Sequence, residues 1–214
     1  MTSLRITETF YSLQGESNLA GLPTAFVRLT GCPLRCQYCD TAYAFQGGEV
    51  REIAEILETV AGYGARHVCV TGGEPLAQPG CLALLTQLCD AGYGVSLETS
   101  GALDISGVDS RVVVVLDLKT PGSGEVARNR YENMDKLKVT DQVKFVICDR
   151  QDYEWSTFKV AEYNLPDRVS DVLFSASHEQ LEASELAAWI LADRLPVRMQ
   201  IQLHKYLWGN KPGV

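Results

Sequence analysis

Along the chain, continuous apolar runs alternate with stretches in which apolar residues recur every three or four positions. The runs Thr24 to Thr30, His67 to Thr71, Gly94 to Thr99, Arg111 to Leu118, Gln142 to Cys148, Asp171 to Ser175 and Val197 to His204 read as strands. Several are apolar on both faces, as buried strands of a parallel sheet are. Between them Val50, Ile53, Ile56, Leu57 and Val60, then Leu82, Leu84, Leu85 and Leu88, then Leu181, Leu186, Trp189, Ile190 and Leu195 fall at helical spacing. Strand then helix, repeated, predicts an α/β fold with a parallel sheet. Seven strands at most, with weak helical patterning around residues 120–140, point to an incomplete parallel (β/α) barrel of about six to seven strands. No repeat, low-complexity tract or Pro/Ser-rich linker interrupts residues 1–214, so a single domain is expected.

The unusual polar residues gather just beyond the C-terminal ends of these strands, at 31–41, 71–75, 98–101, 117–121, 175–178 and 204–205. In a parallel α/β fold those ends share one face, where ligands bind. The 214 residues suffice for a sizeable core without disulfides. A net charge of −8 and a sequence pI near 4.9 argue against a nucleic-acid platform, which depends on Lys and Arg. The N-terminus carries no charged segment followed by an apolar stretch, and no window approaches the ~20 apolar residues of a membrane span. A cytoplasmic protein without a membrane partner is therefore expected.

Seven cysteines are an odd number, and three of them crowd into the loop Gly31 to Thr41 as C-x3-C-x2-C: Cys32, Cys36 and Cys39. In a reducing compartment this favours metal ligation over a disulfide framework. Three thiolates on a short loop can hold three corners of a [4Fe-4S] cluster, leaving one iron open. A zinc site of three cysteines and a histidine is the rival, weakened because zinc motifs usually pair two halves and no histidine here is paired. Cys69, Cys81, Cys89 and Cys148 lie among apolar residues and read as core.

With Tyr38 as the aromatic, the loop is C-x3-C-x-aromatic-C and resembles the signature of the radical S-adenosylmethionine superfamily. Thr71-Gly72-Gly73-Glu74-Pro75 resembles that superfamily's GGE segment, whose backbone holds the methionine amino group; glycine allows that close approach. Further motifs narrow the resemblance: Leu13-Gln14-Gly15-Glu16, Cys39-Asp40-Thr41, Glu98-Thr99-Ser100-Gly101 and Gln202-Leu203-His204-Lys205 are similar to those of the 7-carboxy-7-deazaguanine synthase family, over essentially the whole chain. The resemblance implies a radical, Mg2+-dependent ring contraction of 6-carboxy-5,6,7,8-tetrahydropterin with loss of ammonia, in queuosine and deazapurine biosynthesis. It implies a [4Fe-4S] cluster, S-adenosylmethionine and Mg2+ as cofactors, a homodimer, and a flavodoxin-like electron donor.

Family roles fall on matching residues. Leu13, Gln14, Gly15, Arg28, Thr71 and the terminal carboxylate of Val214 would bind the pterin. Arg28 would pair with its carboxylate, an internal salt bridge with Glu16 being the alternative. Gly73, Ser100, Asp117, Leu118, Lys119, Leu173, Phe174, Ser175 and Ala176 would line the S-adenosylmethionine pocket. Thr41 would ligate Mg2+ through its hydroxyl, a hard donor, and reads otherwise as a turn cap. His204 would hydrogen-bond the substrate or relay a proton, a structural histidine fitting equally. Ser17, where the family often has glycine, and Ala176 and Ser177, where a proline-containing loop is common, depart from the pattern. A glycyl-radical activase, which would need an open protein-docking face, and a noncatalytic zinc or iron-sulfur module are the competing readings.

Overall fold

A computed structural model describes residues 2–214. Nine strands form one sheet: β1 (Ser3–Leu13), β2 (Pro23–Leu29), β3 (Glu49–Glu52), β4 (His67–Gly72), β5 (Gly94–Thr99), β6 (Val113–Asp117), β7 (Gln142–Ile147), β8 (Asp171–Ala176) and β9 (Arg198–Gln200). Their order is β3-β1-β2-β4-β5-β6-β7-β8-β9, so the sheet is not closed. From β2 through β4 to β9 every neighbouring pair is parallel, while β1 pairs antiparallel with both β2 and β3. Seven parallel strands in unbroken sequential order make the incomplete barrel expected from the sequence, extended at one edge by two antiparallel strands.

Helices α1 (Ile53–Tyr63), α2 (Gly80–Asp90), α3 (Arg150–Glu162) and α4 (Ala183–Asp193) cover one face of the sheet, and α5 (Leu203–Trp208) follows β9. Strand alternation sorts side chains between the two faces. Ala25, Val27 and Leu29, Val68 and Val70, and Val95 and Leu97 pack with Ile56 and Val60 of α1 and Leu84, Leu85 and Leu88 of α2. A second cluster joins Val114, Leu116, Val143, Phe145, Val172 and Phe174 to Tyr153 and Val160 of α3 and Leu186 and Ile190 of α4. The opposite set of positions, Arg28, Thr71, Glu98, Asp117 and Lys144, faces the barrel interior. The apolar half of the alternation thus builds the core and the polar half a binding chamber.

The structure corrects several expectations. Val50 belongs to β3, not to the helix that begins at Ile53. The strand expected over Val197 to His204 pairs with β8 only through Arg198–Gln200, and His204 lies in α5. Between β6 and β7, where the helical patterning is weak, the chain makes only three short 3-10 segments, Pro121–Ser123, Val126–Arg128 and Tyr131–Lys136, as expected.

The turn after β1 has a further structural role. It inserts toward the far strands: Asn18 N–H donates to Gln142 Oε1 (2.9 Å), Asn18 Nδ2 to Asp171 Oδ2 (3.1 Å) and Ser17 N–H to Gln200 Oε1 (3.1 Å). Ser17 is buried with φ +63°, a left-handed conformation that favours glycine, which is the residue common here in the family resembled. The gap in the barrel is therefore bridged by side-chain amides rather than by a strand ladder.

Candidate active site

The strand ends enclose a cavity of about 480 Å³. Cys32, Cys36 and Cys39 line one wall, on the loop between β2 and β3. Burial pushes the Cys32 thiol up and the Cys36 thiol up to about 11, with nearby Lys119 pulling each back. All three thiols are free. Among the described residues no three His, Cys, Asp or Glu side chains gather closely enough for a single ion. Three thiols facing one cavity fit a multi-iron cluster better than a lone Zn2+.

Gly73 explains how the GGE segment meets this loop. A Cβ there would stand 2.2 Å from the Gly31 carbonyl oxygen and 2.8 Å from Cys32 Cβ, so only glycine permits the approach. Glu74 is fully buried and ties two strand ends together. Its carboxylate accepts from Thr99 Oγ1 (2.8 Å), Leu76 N–H (3.0 Å), Ser100 N–H (2.7 Å) and the Ser100 hydroxyl. Gly73 and Ser100 are thereby held on the same wall as Cys32.

Asp117 and Lys119 lie at the end of β6, with Lys119 Nζ 3.0 Å from Asp117 Oδ2. Lys144 Nζ pairs with Glu16 and stands 3.9 Å from Asp117. Burial opposes the charges of Lys119 and Lys144, but the facing carboxylates outweigh it and raise both pKa values. Asp117 Oδ1 and the Tyr38 hydroxyl are buried without a partner among the described residues, and both residues line the cavity. Unsatisfied polar atoms in a cavity wall fit a polar ligand such as S-adenosylmethionine.

Opposite stand Leu13, Gln14, Gly15, Arg28, Thr71, His204 and Val214, all in the lining. Arg28 does not pair with Glu16. Its Nε donates to Glu8 Oε1 (2.7 Å), which also accepts from Tyr43 Oη (2.8 Å), and its guanidinium lies 5.8 Å from the centre of the Phe10 ring. Only Nε makes a hydrogen bond among the described residues, so the terminal nitrogens remain for an anion in the cavity. Glu98 accepts from Gln14 Nε2 (3.3 Å) and Thr71 Oγ1 (2.9 Å), joining two expected substrate residues through one carboxylate. Gly15 has no room for a side chain, since a Cβ would meet His204 Nδ1 at 2.2 Å.

Thr41 lines the cavity beside Cys39, Oγ1 to Sγ 3.8 Å, and offers one hard oxygen, which fits an ion that retains waters and substrate oxygens. Asp40 is tied to the C-terminal segment, its Oδ2 lying 3.4 Å from Gln202 Nε2, 3.6 Å from Lys205 Nζ and 3.9 Å from His204 Nε2. Burial works to raise the Asp40 carboxyl, but His204, Lys205 and Lys144 hold it well below the usual carboxylate range.

The expected pocket residues after 117 divide. Asp117 and Lys119 line the cavity, whereas Leu118 and Phe174 are buried in the core behind the sheet, and Ala176 packs against it. Leu173 and Ser175 are fully buried and do not reach the lining. The chain enters the cavity just afterwards, through Ser177, His178, Glu179 and Gln180. Lys144 of the lining, and Glu8 behind Arg28, are residues that the sequence did not single out, and Glu98 stood out only within its motif. Lys144 and Glu98 carry the signal that marked Arg28, a lone charge in an apolar strand, whereas Glu8 shares β1 with Arg5 and carries no such signal.

Comparison with known proteins agrees with this geometry. The radical SAM superfamily model matches residues 26–113. The chain is 46% identical over 210 residues to a 7-carboxy-7-deazaguanine synthase of Chlorobaculum tepidum, covering 96% of this chain and 94% of that one. It is 41% identical to one of Koribacter versatilis, covering 96% and 97%. Among solved structures, QueE from Escherichia coli superposes with a TM-score of 0.77 at 23% identity, covering 94% of this chain and 95% of that one, a likeness of fold.

Proposed function

The chain belongs to the 7-carboxy-7-deazaguanine synthase family of radical SAM enzymes, and from that premise we propose how its cavity performs the reaction. It is a lyase of deazapurine biosynthesis that uses a [4Fe-4S] cluster and S-adenosylmethionine. When bound, these would supply radical chemistry for hydrogen-atom abstraction at the 6-carboxy-5,6,7,8-tetrahydropterin substrate, and Mg2+ would supply a Lewis acid. Cys32, Cys36 and Cys39 would hold the cluster. Gly73 and Ser100, fixed through Glu74, line the S-adenosylmethionine side with Asp117 and Lys119, while Leu118, Phe174 and Ala176 support that wall from the core behind it.

On the substrate side Arg28 presents two free terminal nitrogens to the pterin carboxylate, and Glu8 fixes the fork's orientation. Gln14, Thr71 and Glu98 form a donor-acceptor edge against the heterocycle, with Leu13 and Gly15 packing beside it. Thr41 holds Mg2+, and Asp40 orients His204, which hydrogen-bonds the substrate or moves a proton. Val214 closes the far edge. A homodimer, a flavodoxin-like reductant and a cytoplasmic location belong to the same reading; no helix among the described residues is long and apolar enough to cross a membrane.

One observation carries this assignment: thiols, the glycine approach, orphaned polar atoms and the half-free Arg28 fork line a single cavity. That cavity includes the C-terminal residues Gly209 to Val214 in its wall, which suits a small molecule better than the open face a glycyl-radical activase needs. The test is anaerobic incubation of reconstituted protein with S-adenosylmethionine, reductant, Mg2+ and the carboxytetrahydropterin, read by mass spectrometry. Both 5'-deoxyadenosine and 7-carboxy-7-deazaguanine are expected. Deoxyadenosine alone would refute the substrate assignment, and neither product from iron-replete protein would refute the catalytic one.

A further inference from the structure

The middle of the cysteine loop is held from outside through a relay that starts on a helix. Asp152, in the first turn of α3, is only 1% exposed although it is a carboxylate. Its Oδ1 accepts from Gly122 N–H (2.7 Å), and its Oδ2 accepts from Thr120 Oγ1 (2.9 Å) and Cys148 N–H (3.1 Å). A Cβ on Gly122 would stand 2.3 Å from Asp152 Oδ2, so the turn Pro121–Ser123 sits directly on this carboxylate. The other side of the same turn holds Gln37: its side-chain amide donates to the Gly122 carbonyl and its backbone N–H to the Ser123 carbonyl (3.1 Å). Arg35 N–H donates to Glu125 Oε1 (2.6 Å) two residues further on. Both residues flanking Cys36 are thus gripped by a segment whose position depends on Asp152.

We propose that Asp152 is a positioning residue for Cys36, acting through the Pro121–Ser123 turn and Gln37. Charge-assisted hydrogen bonds to a buried carboxylate are strong, and two donors from one turn fix it in translation and rotation. The assignment deepens the radical SAM reading, on which the purpose of the relay rests, but the relay itself is a property of this chain without its cluster.

Hydrogen exchange on the full chain before reconstitution tests it. Asp152→Ala and Gln37→Ala should each speed exchange at the Arg35 and Gln37 amides on the order of tenfold. Tyr153→Phe is the control, because Tyr153 Oη donates to Asp193 Oδ2 (2.8 Å) from the same helix without touching Asp152 or the turn. It should lower the melting temperature yet leave those two amides unchanged. Gln37 is exposed, so its variant keeps the test available where Asp152→Ala folds poorly. After reconstitution, Asp152→Asn and Gln37→Ala should lose iron to a chelator several-fold faster than the wild type and than Tyr153→Phe. Unchanged amide exchange in Gln37→Ala and Asp152→Ala, or an equal rise in Tyr153→Phe, would overturn the relay. A wild type that takes up no [4Fe-4S] cluster would instead overturn the family-based function, leaving the exchange result standing.

Discussion

Replacing Glu74 tests whether one buried carboxylate holds the GGE segment to the end of β5. Alanine there leaves the N–H groups of Leu76 and Ser100 without acceptors, and the hydroxyls of Thr99 and Ser100 without theirs. Hydroxyls can rotate to new partners, but the two backbone N–H groups cannot, and each orphaned donor costs about 1–3 kcal/mol. Together they put Glu74→Ala at about 2–6 kcal/mol, a large part of the ~5–15 kcal/mol that stabilises a typical domain. For a chain of this length each kcal/mol lowers Tm by roughly 2–4 °C, so a drop of roughly 4–24 °C is expected. Glu74→Gln keeps the volume but turns one oxygen into an NH2 group facing a backbone donor, so it should cost about 1–3 kcal/mol. Thermal unfolding of the cluster-free chain by circular dichroism gives the ordering wild type, then Gln, then Ala. A Gln variant melting within 2 °C of the wild type, roughly the smallest shift that 1 kcal/mol produces, would refute the argument from hydrogen-bond direction.

Other consequences are equally open to measurement. Arg28→Lys keeps a charge beside Glu8 but loses the planar fork, so KM for the pterin should rise by about tenfold or more while deoxyadenosine formation persists; an unchanged KM would remove Arg28 from the carboxylate site. Thr41→Ala should weaken the Mg2+ dependence of turnover without changing iron content, and an identical magnesium titration would place the ion elsewhere. Burial pushes the Cys36 thiol up to about 11 and those of Cys81 and Cys148 up to about 12, from an ordinary value of 9.0. Above pH 9 the unfolded cluster-free chain therefore gives up protons that the native one retains, and stability falls as pH rises from 9 through 11–12. Urea midpoints should be lower at pH 10.5 than at pH 8.5; a flat profile would contradict the burial of these thiols.

What the sequence makes legible follows from how each element is stabilised. Strands β4 to β8 are buried on both faces and read as apolar runs, and helices α2 and α4 carry apolar stripes. Strand β1 escapes detection because its register slips between Ile6 and Glu8, so no single alternation spans it. Helix α3 escapes for the opposite reason: its buried side includes Asp152 and Ser156, polar groups that no hydrophobic periodicity reports. At the site, the cysteines, Gly73 and Arg28 announce themselves by spacing or by context. The far wall misleads because Phe174 sits on the helix-facing side of β8, and the loop that reaches the cavity begins at Ser177. That Arg28 pairs with Glu8 rather than Glu16 depends on which side chains alternate inward on β1, which the register slip conceals.

The amide bridge between the β1–β2 turn and the far strands also bears on when the enzyme becomes competent during synthesis. Gln142, Asp171 and Gln200 lie more than a hundred residues downstream of the turn they fasten. At ~5–20 residues per second, a ribosome exposes Leu13 to Glu16 and the cysteine loop several seconds to tens of seconds before β9 emerges. Throughout that interval the turn lacks the three side chains that fasten it, and the chamber lacks the wall made by residues 209–214, so the binding site is completed only by the last strand and the segment after it.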